Sequence, residues 1–389
     1  MSRERLLVVA ERYYPEGGGG ELATHLIVGI LRRRFDVTVV TGTADPERAS
    51  GVRYVHEPLL SRAAKPVLWT NLARLARKGR FEALLKESDA VYIPRFAYPV
   101  IPRAKALGKR VVVHLHGYAP LSYTAVVLAP YERHRGRLAL DDISIECARG
   151  LLRCAAAASL WWLPRLARRW IAQSDAVLCV SGRHAEIIRD GAPELSEKIQ
   201  VVRNPLPPLE VERRIADVPT FLYLGGDDPL KGFPAVLSAI RTLGRRGIRA
   251  RFLLANSYGR RAAEALRKVA GPVEVSILGR IPRQALAGLY AEAWALLFPS
   301  VWEEPSPYAV LEAATSGVVP VASRVGGVPE ILAGTPAERY MGPPGDVAAQ
   351  VAEVAGLTPE EAYALGREVK EAVRPRYGGA EADVLKAFG

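Results

Sequence analysis

The sequence predicts an α/β protein built from two parallel-sheet domains. First, short continuous runs rich in Val, Ile and Leu alternate with helix-like segments along the 389-residue chain. That is the pattern of strands buried on both faces and joined by crossover helices. Second, the runs form two series separated by Asn204-Pro205-Leu206-Pro207-Pro208-Leu209-Glu210, where three prolines fall within four residues. Such a stretch excludes helix and central strand and stiffens a linker. Third, the length is large for one hydrophobic core and ordinary for two.

The first series of strand-like runs is Leu6–Ala10, Val37–Thr41, Ala90–Ile93, Val111–Leu115, Ala176–Val180 and Ile199–Val202. The second is Thr220–Leu224, Arg251–Ala255, Val273–Leu278, Ala295–Phe298 and Val318–Ala322. They place an N-terminal domain over residues 1–206 and a C-terminal domain over 210–358. A last helical pattern, about 359–389, carries Pro375 in its middle.

Composition narrows the class. Hydrophobic content of 49% and charged content of 24% fit a globular protein. Cys147, Cys154 and Cys179 fit no disulfide or metal framework, which points to a reducing, cytoplasmic compartment. His114 and His116 are the one tight histidine pair, with no cysteine or carboxylate at ligand spacing, so no metal is expected. The start, Met1-Ser2-Arg3-Glu4-Arg5, leads into an apolar run too short for a secretory core. The net charge is +12. The basic residues are spread, few aromatics interleave and no nucleic-acid motif occurs, so nucleic acid is not an expected partner.

The chemistry concentrates in Pro299-Ser300-Val301-Trp302-Glu303-Glu304-Pro305-Ser306-Pro307-Tyr308-Ala309-Val310-Leu311-Glu312-Ala313. Two carboxylates, Glu304 and Glu312, stand with seven residues between them. The first falls in a strand-to-helix loop and the second about a turn inside a helix over Tyr308–Ser316. The loop ends where a helix offers backbone N–H groups to an anion. Phosphates suit that helix end, and sugar or ribose hydroxyls suit the acids.

This stretch resembles the E-x7-E region of the retaining family 4 glycosyltransferases. Gly317-Val318-Val319-Pro320-Val321-Ala322-Ser323 and Gly326-Gly327-Val328-Pro329-Glu330-Ile331 extend the resemblance at the family's spacing. It implies the GT-B fold: two Rossmann-like parallel-sheet domains facing a deep interdomain cleft, with a bent C-terminal helix crossing back onto the N-terminal domain.

Three other segments carry the resemblance further. Gly17 to Gly20 follow a strand and loop and precede a helix, without meeting the G-x-G-x-x-G dinucleotide pattern. Val111-Val112-Val113-His114-Leu115-His116-Gly117 is a strand ending in an imidazole, where open α/β sheets place ligands. Phe221-Leu222-Tyr223-Leu224-Gly225-Gly226-Asp227-Asp228-Pro229-Leu230-Lys231-Gly232 is similar to the family's strand-Gly-Arg…Lys-Gly segment, with Gly226 in place of the arginine. Pro305-Ser306-Pro307 departs from a common Gly-Phe-Gly-like stretch.

The resemblance implies the following roles. Glu312 takes the ribose hydroxyls. Lys231 and the amides of Tyr308, Ala309 and Val310 hold the diphosphate, next to Gly225 and Gly226. Glu304 contacts the transferred sugar and Ser306 lies in its recognition loop. His116, Gly18 and Gly19 line the sugar's other side. Arg280 and Ile281 flank the base, and Arg280 is a candidate for the phosphate charge that Gly226 lacks. No cofactor is implied beyond a UDP-, GDP- or ADP-linked sugar as donor, and domain closure would exclude water. The acceptor would be a glycan, a lipid-linked group or a small molecule, met by loops near 57–80 and 117–145.

Two alternatives remain at this level. One is a non-catalytic nucleotide-sugar or glycan-binding subunit. The other is a different GT-B enzyme, either a sugar-nucleotide epimerase or a glycogen-type synthase. Residues 146–173, with Trp161-Trp162, Trp170 and five arginines, also read two ways. They form either an amphipathic element at the inner face of a membrane or a helix pair packed on the core.

Overall fold

The structure, a computed structural model, describes residues 3–61, 64–269 and 271–389. Met1 and Ser2 of the leading segment, and residues 62 and 63 of the loop assigned to the acceptor, lie outside the described residues. The chain divides into two compact units. Unit 1 comprises Met1–Val127, Arg133–Pro207 and Gly379–Gly389; unit 2 comprises Leu128–Glu132 and Pro208–Gly378.

Unit 1 holds a seven-stranded sheet: β1 (Arg5–Ala10), β2 (Asp36–Thr41), β3 (Arg53–His56), β4 (Ala90–Ile93), β5 (Arg110–Leu115), β6 (Ala176–Cys179) and β7 (Ile199–Val201). Its spatial order is β3-β2-β1-β4-β5-β6-β7, and every pairing is parallel. Residues 6–10 of β1 and all of β4 are buried, as expected when helices cover both faces. β3 was not legible as a strand, because Arg53-Tyr54-Val55-His56 is a short, half-exposed edge with little apolar signal.

Unit 2 holds a six-stranded sheet: β8 (Thr220–Tyr223), β9 (Ala250–Ala255), β10 (Val273–Gly279), β11 (Ala295–Phe298), β12 (Val319–Ser323) and β13 (Met341–Gly342). Its order is β10-β9-β8-β11-β12-β13, again all parallel. The two sheets are Rossmann-like.

In both sheets the order reverses beside the first strand. β1 lies between β2 and β4, and β8 lies between β9 and β11. Open α/β sheets hold ligands at the carboxyl ends of the strands flanking such a reversal. The loops at these reversals follow β1 and β4 in unit 1, with β5 beside them, and β8 and β11 in unit 2.

The C-terminal segment is not one bent helix. The helix Pro359–Val373 starts with a capping box between Thr358 and Glu361 and belongs to unit 2. A 3-10 turn, Arg374–Tyr377, includes Pro375. The last helix, Ala380–Ala387, then packs in unit 1. There Phe388 is 1% exposed and meets the rings of Tyr92 and Phe35 edge-on, at centroid distances of 5.0 and 6.4 Å.

One cysteine reading is corrected. Cys147 and Cys154 form a disulfide, and Cys179 is free and buried. The two partners lie at the end of the helix Leu138–Ala148 and in the first turn of the helix Leu151–Ser159. The chain reverses between them at Gly150, whose φ of 135° suits a residue without a Cβ, bringing their Cα atoms to 4.1 Å. A separation of seven residues carries no sign of that reversal, so the pairing was invisible in the sequence. With two of the three cysteines paired, the cysteines do not indicate a reducing compartment.

Candidate active site

In unit 2 the site grows from the ends of β8 and β11. After β8 come Gly225 and Gly226, then Asp228, whose carboxylate accepts from the Leu230 amide and caps the 3-10 turn Pro229–Lys231. This delivers the Lys231 ammonium to Glu304 Oε1 at 2.6 Å. The same nitrogen lies 5.2 Å from the centroid of the Trp302 ring. Ser300 Oγ lies 3.3 Å from Glu304 Oε1. Lysine and carboxylate, read separately as the phosphate and sugar ligands, are thus direct partners.

The neighbouring carboxylate has another task. Glu303 accepts from the Gly326 amide at 2.7 Å and from the Tyr131 amide at 2.8 Å. The Gly327 amide donates to the Glu304 carbonyl at 2.8 Å. Gly326 has φ of 51°, and a Cβ there would come within 1.9 Å of the Glu304 carbonyl oxygen. The Gly326-Gly327 turn therefore holds the Glu303 carboxylate and the Glu304 backbone carbonyl, so the two neighbouring acids are fixed in different ways.

The helix Tyr308–Ser316 follows, with Pro307 at its N-cap and no side chain capping it. Its N-terminal turn, with the amides of Tyr308, Ala309 and Val310, carries the positive end of the helix dipole. Ser306 is half-buried just before it. One turn further on, Glu312 is 4% exposed. Arg283 Nη1 reaches its Oε1 at 2.7 Å, and the Tyr290 hydroxyl reaches its Oε2 at 3.3 Å. Burial pushes the Glu312 carboxyl above the ordinary glutamate range, while Arg283 and Tyr290 oppose that shift. Arg283 Nη2 is buried and has no hydrogen-bond partner among the described residues.

Arg280 and Ile281 follow β10. Arg280 is exposed, and the cation that reaches Glu312 is Arg283, three residues later. Gly226 has φ of 67°, and a Cβ there would sit 3.0 Å from the Ser257 carbonyl oxygen. This backbone explains the glycine: a side chain would have to adopt the left-handed conformation against a neighbouring strand end.

Unit 1 has its own cluster at the ends of β1, β4 and β5. The Gly18 amide donates to Glu21 Oε2 at 2.8 Å, locking the Gly17–Gly20 loop onto the first turn of the helix Gly19–Leu31. Arg95, just past β4, pairs with Glu21 and, at 2.8 Å, with Glu11. His116 follows β5, its Cβ 3.4 Å from where a Cβ on Gly20 would be. Behind it His114 is fully buried, with Nδ1 3.0 Å from the Tyr92 hydroxyl and its ring centroid 4.3 Å from that of His116. Burial, with His114, Arg95 and His184 adding to it, holds the His116 pKa well below the ordinary histidine range. His116 is therefore a neutral imidazole, and its Nε2 has no hydrogen-bond partner among the described residues. Among those residues no three His, Cys, Asp or Glu groups converge as a metal site.

Both units match known families. The model described as Glycosyltransferase Family 4 matches residues 16–209, and the one described as Glycosyl transferases group 1 matches residues 218–358. The chain is a glycosyltransferase of the GT-B type.

Solved structures agree on the fold of this glycosyltransferase. Sucrose-phosphate synthase from Thermosynechococcus elongatus superimposes with a TM-score of 0.71 at 17% identity, covering 99% of this chain and 97% of that one. Anabaena HepE in complex with UDP-glucose gives 0.68 at 13% identity, covering 99% of each chain. WaaG, a glycosyltransferase involved in lipopolysaccharide biosynthesis, gives 0.68 at 14% identity, covering 99% and 100%. No protein of curated function matches in sequence.

In this glycosyltransferase the structure brings the named residues into two groups. Gly225, Gly226, Lys231, Glu304, Ser306, Tyr308, Ala309, Val310 and Glu312 gather at the reversal of the second sheet. Gly18, Gly19 and His116 gather at that of the first. Sequence reasoning missed Arg283, Tyr290, Arg95 and the backbone role of Glu303. Arg283 and Tyr290 stand seven apart in the helix Arg283–Glu292, two turns on one face, a spacing that says nothing until the helix it faces is known.

Proposed function

We propose that this glycosyltransferase moves a hexose-type sugar from a nucleotide-diphosphate donor to a lipid-linked, glycan or small-molecule acceptor, with retention of anomeric configuration. The observation that carries the reading is the Lys231–Glu304 pair at the second sheet's reversal, beside the uncapped start of the helix that holds Glu312. A diphosphate needs positive charge that is in place before the sugar–phosphate bond breaks. Lys231 and the helix N-terminus provide that charge without rearrangement. Glu304 faces the hydroxyls of the sugar and Glu312 those of the ribose. In unit 1, neutral His116 and the Gly18–Gly19 backbone serve the transferred sugar and its acceptor. The neutral ring can exchange hydrogen bonds with hydroxyls without attracting the donor's phosphates.

UDP-glucose is the first donor to test, since the Anabaena relative of similar fold is described in complex with it. Peripheral contact with the inner face of a membrane, through the basic N-terminal unit, is part of this reading; the cytoplasmic setting that goes with it draws no support from the cysteines. Thermal stabilisation by a panel of UDP-, GDP- and ADP-sugars identifies the donor by mass action. Transfer is then followed by product NMR, with the anomeric coupling reporting retention or inversion. Lys231→Ala should cut turnover by about a hundredfold or more, the scale of losing one charge-stabilising donor. Near-normal turnover in that variant would remove lysine from the phosphate role.

A second reading, a donor-binding subunit without transfer, is favoured by Gly226 and by Pro305 and Pro307, which cannot donate backbone hydrogen bonds to a sugar. Tight donor binding with no turnover on any acceptor would select it.

A further inference from the structure

We propose that one face of unit 1, formed by the helix Leu151–Ser159 and the groove between the helices Lys65–Leu75 and Leu163–Ile171, docks on an anionic lipid surface. This names the surface behind the peripheral contact above and does not depend on which donor is used.

The helix Leu151–Ser159 begins with two leucines that are 88% and 89% exposed. Ala155 and Ala158 continue the outward face, and Ala157 is the residue turned inward. At its far end Trp161 and Trp162 are 47% and 44% exposed. No polar side chain longer than serine lies on that face between the leucines and the tryptophans, apart from Arg153 beside the leucine pair. The Cys147–Cys154 disulfide ties the first turn of this helix to the end of the preceding one, so the leucines sit at a covalently closed bend. Arg149 and Arg153 flank them and share Glu146.

Beside this helix lies a groove of about 530 Å³. Trp69, Trp162, Leu166 and Trp170 form its apolar lining, and Arg74, Arg77 and Lys78 also line it. Trp69 and Trp170 meet edge-on at 5.2 Å. Apolar rings beside cations match the two chemistries of a lipid, its acyl chain and its phosphate.

Charge selects the partner. Residues 147–174 contain five arginines and no acid, and residues 64–81 contain five lysines and arginines and no acid. A second copy of this chain on the same face would set those cations against their own kind. Nucleic acid would match the charge but leave the leucine pair in water. An anionic bilayer surface satisfies both, because arginine meets phosphate while leucine and tryptophan enter the headgroup boundary.

The test is sedimentation of the full chain with vesicles of phosphatidylcholine alone, or of phosphatidylcholine and phosphatidylglycerol in equal parts. The protein should partition onto the anionic vesicles and leave them as salt is raised. The double variant Leu151→Asp with Leu152→Asp, and separately Arg74→Gln with Arg77→Gln, should each lower partitioning by about tenfold or more. All four residues are exposed or lie at the surface of their helices, and an unchanged circular-dichroism melt checks that each variant folds. Equal binding to both vesicle types, or partitioning unmoved by both variants, would overturn the proposal. So would a dimer that the leucine variant disperses, or an RNA shift, in the absence of vesicle binding.

Discussion

Replacing Arg283 by methionine should destabilise the protein strongly at alkaline pH and hardly at all near the pH where Glu312 is protonated. Glu312 is 4% exposed and the Arg283 side chain 20%, at a separation of 2.7 Å. Removing one partner of a fully buried ion pair costs about 3–5 kcal/mol, because the other charge is left without compensation. Arg283 is partly solvated, which lowers the cost below that of a fully buried pair, to about 2–3 kcal/mol. The sign follows from linkage. Burial raises the Glu312 pKa in the folded state, against the opposition of Arg283 and Tyr290. A carboxyl whose folded pKa exceeds its unfolded value contributes stability that falls as pH rises from the unfolded value through the folded one, then levels. Without Arg283 the folded pKa climbs further, and the falling window widens upward. Thermal unfolding of variant and wild type, compared at about pH 5 and about pH 8, should show the larger difference at the higher pH. Adding Glu312→Gln should remove most of that pH dependence, since no charge is then left alone. A destabilisation equal at the two pH values would show that Arg283 acts through packing alone and refute the electrostatic account.

Two further outcomes follow from named geometry. Gly226→Arg restores the residue usual in the family but places it at φ of 67° against the Ser257 carbonyl, so it should cost about 1–2 kcal/mol and fail to improve donor affinity; a stable variant with tighter donor binding contradicts this. Because burial keeps His116 neutral through the ordinary histidine range, the pH–rate profile should show no limb from this imidazole in that range; a limb near the free-histidine value that disappears in His116→Gln would contradict it.

Much of unit 2 was legible because its signals are local. Tyr308–Ser316 is helical where the sequence placed it. The apolar runs around it are strands because they bury both faces of a parallel sheet. β13, two residues long, and the half-exposed β3 gave no comparable signal. The candidate residues were found one motif at a time, and motifs do not say what touches what. Glu303 and Glu304 are adjacent carboxylates, and nothing in the sequence showed that one would hold Gly326 and Tyr131 while the other met Lys231.

The sequence by itself determined the class of this protein: two α/β halves, a pair of acids with seven residues between them, a lysine-glycine turn and an imidazole at a strand end. These depend on periodicity and spacing, which the chain carries locally. Only the tertiary structure decided the strand orders that bring those loops to the two sheet reversals, the partnership of Arg283 with Glu312, and the reversal at Gly150 that joins Cys147 to Cys154. Each of these is a contact between elements, set by how buried faces pack together, and side-chain spacing along the chain does not encode which face will meet which.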